Sequence, residues 1–193
     1  MAAPAPFFSH VDRVLADFAK KDKPTSADFA AIQALGVFYD KLDKYRIAAN
    51  NMADSALKSE GHNSTRLARH MALAGDCRPS EKCDCHAIIS GGHQKAIAAR
   101  AIMAWLKFRI DDPHNGAWLP RDWEDRRHMP AHLQNAVPHK RIHHDQYFNW
   151  LGNRINWITI TSADQLVFTL HFIRRSLQQG SVPPAVMPQT GRV

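Results

Sequence analysis

Asp84-Cys85-His86-Ala87-Ile88-Ile89-Ser90-Gly91-Gly92 decides how this chain reads. The run His86–Ser90 is short, apolar and β-branched, and a glycine pair closes it, which predicts a strand. His86 sits where a rigid backbone can hold an imidazole while its ring faces solvent, ready to take a proton near neutral pH. Downstream, Asn115-Gly116 is a strong turn signal, and Ala117-Trp118-Leu119 reads as a second short strand that Pro120 ends. His139 and His143 follow, four residues apart. On a helix running from near His139 to about Asn153, both rings project from one face and can reach one divalent cation. A zinc-protease helix also needs Glu directly after its first His, and Lys140 stands there, so this is no metalloprotease.

Around this centre the chain is mostly helical. Phe7 to Lys20 predicts an amphipathic helix, broken at Lys21-Asp22-Lys23-Pro24. Thr25-Ser26-Ala27-Asp28 is a capping box opening a second helix, whose Phe29, Ile32, Leu35, Phe38 or Tyr39, Leu42 and Tyr45 form one expected buried stripe. A third helix, Ser64 to Ala74, should end at Gly75 in a left-handed cap. Gln94 to Phe108 is strongly helical, with Ile97, Ala101, Ile102, Trp105 and Leu106 facing inward. Arg121 to Pro138 reads as a long loop whose Arg121, Trp123, Arg126 and Arg127 could lie against a phosphate backbone. Trp157 to Thr161 suits a strand or an extended linker, and Ser162 to Gln165 caps a last helix reaching about Gln178. The expected organisation is a helical N-terminal region (1–75), a catalytic domain with the C-terminal helix (76–180) and a poorly ordered tail (181–193). His10, His62 and His70 read as surface or packing residues.

Composition narrows the function classes. Apolar residues make up 45% of the chain, with five Trp and nine Phe, which excludes a disordered chain. No stretch is apolar enough to span a membrane. The first residues lack the basic and apolar segments of a secretory signal, so export would need a dedicated secretion system. A formal charge of +7 favours a polyanionic partner. Cys77, Cys83 and Cys85 are an odd, clustered set, unlike a disulfide framework, and they raise a metal site beside His86.

Together, Asp84-Cys85-His86-Ala87-Ile88-Ile89-Ser90, Ala99-Arg100, Ile110-Asp111-Asp112, Asn115-Gly116-Ala117-Trp118-Leu119-Pro120, His139-x3-His143 and Tyr147 resemble the AHH branch of the HNH/endonuclease VII nucleases, over roughly residues 83–153. The resemblance implies an α+β, mostly helical chain with a ββα-metal finger: an antiparallel pair of strands packed on a helix around one divalent ion, Mg²⁺ or Zn²⁺. It implies His86 as general base, Asn115 as the turn residue steadying it, and His139 and His143 as metal ligands. Tyr147 would pack beneath the metal or touch a phosphate. Arg100, Lys140 and Arg141 are candidates for substrate phosphates. The branch is named for Ala-His-His, whereas this chain has Asp84-Cys85-His86, so Cys85 becomes a candidate ligand. Adjacent strand residues face opposite ways, which puts Asp84, not Cys85, on the His86 face.

The resemblance further implies a bacterial toxin or effector, acting in the cytoplasm of a target cell and neutralised in its producer by an immunity protein. DNA is favoured over RNA as substrate, with weak sequence preference. Two alternatives stay open: an RNase toxin, and a non-catalytic zinc-stabilised nucleic-acid-binding module built on the three cysteines and a histidine.

Overall fold

A computed structural model describes residues 10–187. It is a mostly helical α+β fold around a two-stranded antiparallel sheet. β1 (Cys83–Ala87) pairs with β2 (Gly116–Pro120), placing His86 opposite Ala117 and Asp84 opposite Leu119. β1 begins three residues earlier than the sequence suggests. Its pairing stops after Ala87, where the Ile88 amide turns to the Asn115 carbonyl (2.8 Å). All five residues of β2 are buried.

The four helices before β1 are α1 (His10–Ala19), α2 (Ser26–Ala48), α3 (Asp54–Lys58) and α4 (Ser64–Leu73). Residues 7–9 of the expected first helix lie outside the described residues. The capping box at α2 is present, with the Asp28 amide bonded to Thr25 Oγ1 and the Thr25 amide to the Asp28 carboxylate. The expected buried stripe of α2 is not. Phe29 is 55% exposed, and among the described side chains of the helix full burial arrives at Leu42, because the first half of the helix projects beyond the core. α4 ends as read: Gly75 has φ +85°, and the Asp76 amide closes on the Met71 carbonyl.

Between the strands the chain makes a long excursion carrying α5 (Ile97–Trp105). Ala99, Ile102, Met103 and Ala104 are its buried residues, whereas Ile97 and Trp105, expected inside, are more than half exposed. Asn115 holds the excursion shut. Its side chain accepts from the Ile89 amide (2.8 Å) and donates to the carbonyls of Ile89 (3.0 Å) and Ile110 (2.8 Å), all within the core.

After β2, residues 121–138 form a loop with two short 3-10 turns. Arg126 stacks over Trp123 and donates to the carbonyls of Ala136 and Asn135, so this pair ties the loop to itself. α6 (Asp145–Gly152) and α7 (Ala163–Gln179) complete the fold. The segment 157–161 is a turn, not a strand, with Trp157 and Ile158 on the surface. Ser162 caps α7, but Gln165 reaches back to the Thr161 amide rather than to Ser162. Gly180, at φ +68°, ends it. The tail departs from expectation over 181–187, since Val182, Val186 and Met187 are buried; residues 188–193 lie outside the described residues. One hydrophobic cluster runs from Leu67 to Met187, uniting both strands, α4, α5, α6 and α7.

Removing the Asn115 amide strands two carbonyls and one amide in the core. Asn115→Ala should therefore destabilise the fold by about 2–4 kcal/mol, read as a lower midpoint in urea denaturation.

Candidate metal centre

Three imidazoles converge from two segments. His86 comes from β1, His139 from a 3-10 turn (His139–Arg141), and His143 from the link into α6. One nitrogen from each lies within 4.8 Å of the other two. Among the described residues this is the one group of three or more histidines, cysteines or carboxylates close enough to share an ion.

The helical pair predicted from the His139-x3-His143 spacing is not on a helix. Pro138 precedes a single 3-10 turn, and the chain then extends at His144 (φ −137°, ψ 170°), whose ring is drawn to the Val186 carbonyl (2.7 Å). α6 starts only at Asp145. The two rings meet all the same, Nε2 to Nε2 at 3.1 Å. Two facing imidazole nitrogens need a proton or a cation between them.

Hydrogen bonds assign the donor atoms. Tyr147 is fully buried, and its hydroxyl donates to the Ile88 carbonyl (2.9 Å). Its one proton is thereby committed, so the 2.8 Å contact with His86 must be Nε2–H donating to the Tyr147 oxygen. The lone pair of neutral His86 is left on Nδ1. That atom is buried and has no hydrogen-bond partner. His139 is oriented likewise: Nδ1–H donates to the Asp84 carboxylate (3.0 Å), which Arg121 also holds, leaving Nε2 free to bind. A carboxylate behind a ligating imidazole fixes its tautomer and raises its basicity.

The electrostatics agree. Burial, then the neighbouring His139 and His143 rings, push His86 well below the ordinary histidine range. Partial burial and His139 push His143 down to about 4. Burial opposes ionisation of Asp84, but hydrogen bonds from His139 and Arg121 outweigh it and hold the carboxyl below its usual value. Near neutral pH, His86 and His143 are therefore neutral imidazoles with available lone pairs. An orphaned, buried Nδ1 and two facing Nε2 atoms fit a bound cation.

The other expected site residues fall unevenly. His86 does not face solvent; it is completely buried, with α6 behind it. Asn115 touches Ile89 and Ile110 rather than His86, so it positions the strand end. Tyr147 packs beneath the histidines and cannot reach a phosphate. Arg100 donates to the carbonyls of Ser90 (3.3 Å) and Gly91, bracing the loop after β1. Arg141 pairs with Asp122, and Lys140 is exposed. Cys85 lies outside the cluster: it faces away from His86, with Sγ 3.4 Å from Met71 Sδ and its thiol pushed up to about 12 by burial. Cys83 is buried against Met129, Cys77 is exposed, and all three are free thiols, so no cysteine site is assembled.

Two clefts of about 510 and 330 Å³ adjoin at the centre, sharing Ser64, Cys85 and His139. The larger is also lined by Arg78, Asp84 and Trp118, the smaller by His62, Ala87, Ser90 and His143. Reading the sequence missed His62. Its ring Nδ1–H donates to the Asp111 carboxylate at 2.5 Å, and nothing local in Gly61-His62-Asn63 announces a partner 49 residues away.

A sheet edge bearing one histidine, faced by two more ahead of a packed helix, is a cluster that could hold one metal ion. A family model described as AHH, a nuclease family of the HNH/ENDO VII superfamily with conserved AHH, matches residues 67–172, more than half of the chain. The chain belongs to this family, and is a phosphodiester-hydrolysing nuclease. No curated protein and no solved structure matched it.

Tyr147→Phe removes the acceptor that fixes His86. Metal affinity should fall about 10–100-fold, measured by calorimetric titration of the folded variant. Acid should also weaken the metal-free fold. Unfolded His143 takes a proton near 6.5, folded His143 only near 4, so its contribution is complete above about pH 6.5 and is lost as pH falls toward 4. The thermal midpoint should drop across that window, and less steeply in His143→Ala.

Proposed function

We propose that this protein is a metal-dependent endonuclease in which His86, His139 and His143 hold one divalent cation. The observation that carries this reading is the buried, unpartnered Nδ1 of His86, on a ring whose centroid is 5.2 Å from each of the His139 and His143 rings, together with the facing Nε2 atoms of those two. It moves His86 from the role of base, expected from sequence, to that of third ligand. An imidazole whose Nε2–H is spent on Tyr147 and whose Nδ1 belongs to the cluster has no nitrogen left for water.

Three nitrogen donors suit a borderline ion such as Zn²⁺ better than Mg²⁺, which takes oxygen. A cation bound there would polarise a non-bridging phosphate oxygen and stabilise the leaving oxygen. The protein's own part is orientation. Tyr147 holds His86 through Nε2–H, Asp84 holds His139 through Nδ1–H, and Asn115 and Arg100 fix the two sides of the loop that follows β1. The larger cleft adjoins His139 and suits a phosphate backbone, although Arg78 at its wall is spent on the Glu81 and Cys83 carbonyls. Exposed Lys140 adds positive charge close to the same residue.

DNA is the proposed substrate, with weak sequence preference; the basic charge supports a polyanion, and the clefts present few groups that could read base edges. The motif resemblance supports a bacterial antagonistic toxin, exported by a dedicated secretion system and paired with an immunity protein.

Purified protein should nick plasmid DNA with added metal, stop with EDTA, and lose at least about 100-fold of its rate in His139→Ala or His143→Ala. Cleavage indifferent to EDTA would overturn the metal role, and faster cleavage of RNA would overturn the substrate. Expressed inside unprotected bacterial cells, the active protein should arrest growth and His139→Ala should not; equal growth of both would overturn the toxin reading.

A further inference from the structure

His62 reaches the centre from a segment that precedes the family match, and it is placed as a histidine base would be. It lines the smaller cleft together with Ala87, Ser90, His139 and His143. Its Nδ1 is 2.5 Å from Asp111, a carboxylate with no exposed surface. Arg66 (2.6 Å) and the Asn63 amide (3.0 Å) hold the second oxygen of that carboxylate. Burial opposes ionisation of Asp111, but these bonds, led by the one to His62, keep it below its usual range and charged. A charged acceptor can take only Nδ1–H from a neutral ring, so the lone pair of His62 lies on Nε2. Nε2 has no hydrogen-bond partner among the described residues, and the side chain is about one quarter exposed.

The chain makes room for this approach. At Gly91, in the loop after β1, an added Cβ would stand 2.6 Å from His62 Cβ and 2.9 Å from its backbone nitrogen. Any larger residue would push His62 off the strand end. Ala87, the residue after His86, offers no competing group in the cleft.

We propose that His62 is the general base of this nuclease, oriented by Asp111; the proposal rests on the assignment of His86 to the metal. Nε2 of His62 takes a proton from a water whose oxygen bonds to phosphorus. The bond from phosphorus to the leaving sugar oxygen breaks, that oxygen takes a proton from solvent, and His62 returns its proton to solvent. Asp111 stays charged throughout and stabilises the imidazolium, as an orienting carboxylate behind a histidine base does.

The test uses the full chain carrying His62→Ala and, separately, His62→Gln, which keeps an amide near Asp111 but has no basic nitrogen. Each is measured for thermal midpoint, for Zn²⁺ and Mn²⁺ binding by calorimetry, and for plasmid nicking with and without added imidazole. Expected are unchanged metal stoichiometry and affinity, nicking slowed by about 10²–10⁴-fold, and partial rescue of His62→Ala by imidazole. Nicking within about threefold of the unsubstituted protein overturns the proposal. So does loss of metal binding or of the folding transition in both variants, because His62 would then be holding structure. Failure of the metal reading is distinguishable: His86→Ala would bind metal normally while His62→Ala still lost its activity.

Discussion

The Tyr147 hydroxyl is the pivot of this molecule. It has one proton and two neighbours, the Ile88 carbonyl and His86 Nε2, and the carbonyl can only accept. Everything about His86 follows from that constraint. Its Nε2 must carry the hydrogen, its Nδ1 must carry the lone pair, and its ring must stand where α6 meets β1. Burial makes the arrangement stiff, since there is no water to offer either group an alternative partner. Burial also keeps the imidazole neutral, with no local positive charge of its own to repel a cation.

The N-terminal helices, which carry no recognisable motif, are bound into the site by charge. Asp112 takes the Arg46 guanidinium through two bonds (2.7 and 3.2 Å), Asp111 takes Arg66, His62 and the Asn63 amide, and Glu60 pairs with Arg109, which itself stacks on Tyr45. Both aspartates are almost wholly buried, so removing either partner would strand a charge inside the protein. The excursion between the strands is therefore clamped from within by Asn115 and from without by α2 and α4. Without that outer clamp, nothing would hold His62 beside the strand end.

Local signals in the sequence read well. The Asn115-Gly116 turn, the Thr25 and Ser162 caps, the Gly75 stop and the two short strands rest on backbone rules that act over four or five residues. The three histidines of the cluster were legible too, because spacing and order carried them. What failed needed tertiary information. Periodicity buried Phe29, Ile97 and Trp105, yet it cannot say where a helix leaves the core. The x3 spacing of His139 and His143 suggested a helix, but a Pro138-led turn brings the same two nitrogens together. Cys85 is a candidate ligand because it stands where the Ala-His-His pattern has a histidine, and strand alternation sends it to Met71. Arg100 and Arg126 looked like phosphate contacts, and both are spent on backbone carbonyls. His62 reads as a surface or packing residue because its partner, Asp111, is distant in sequence.

The proposed division of labour between His86 and His62 has a simple physical basis. A ligand gains from being dry, neutral and held in one tautomer, since each property keeps its lone pair aimed and available. A base has the opposite need: it must meet water, accept a charge and give it back. His86, sealed under Tyr147, meets the first set of demands and fails the second. His62 is partly exposed at the cleft and backed by a buried carboxylate that can stabilise its protonated form. With Ala87 after His86 on β1, the strand has no second imidazole to offer. The proposed base, drawn from the segment before α4, would meet that need, and the close passage over Gly91 is what lets His62 approach.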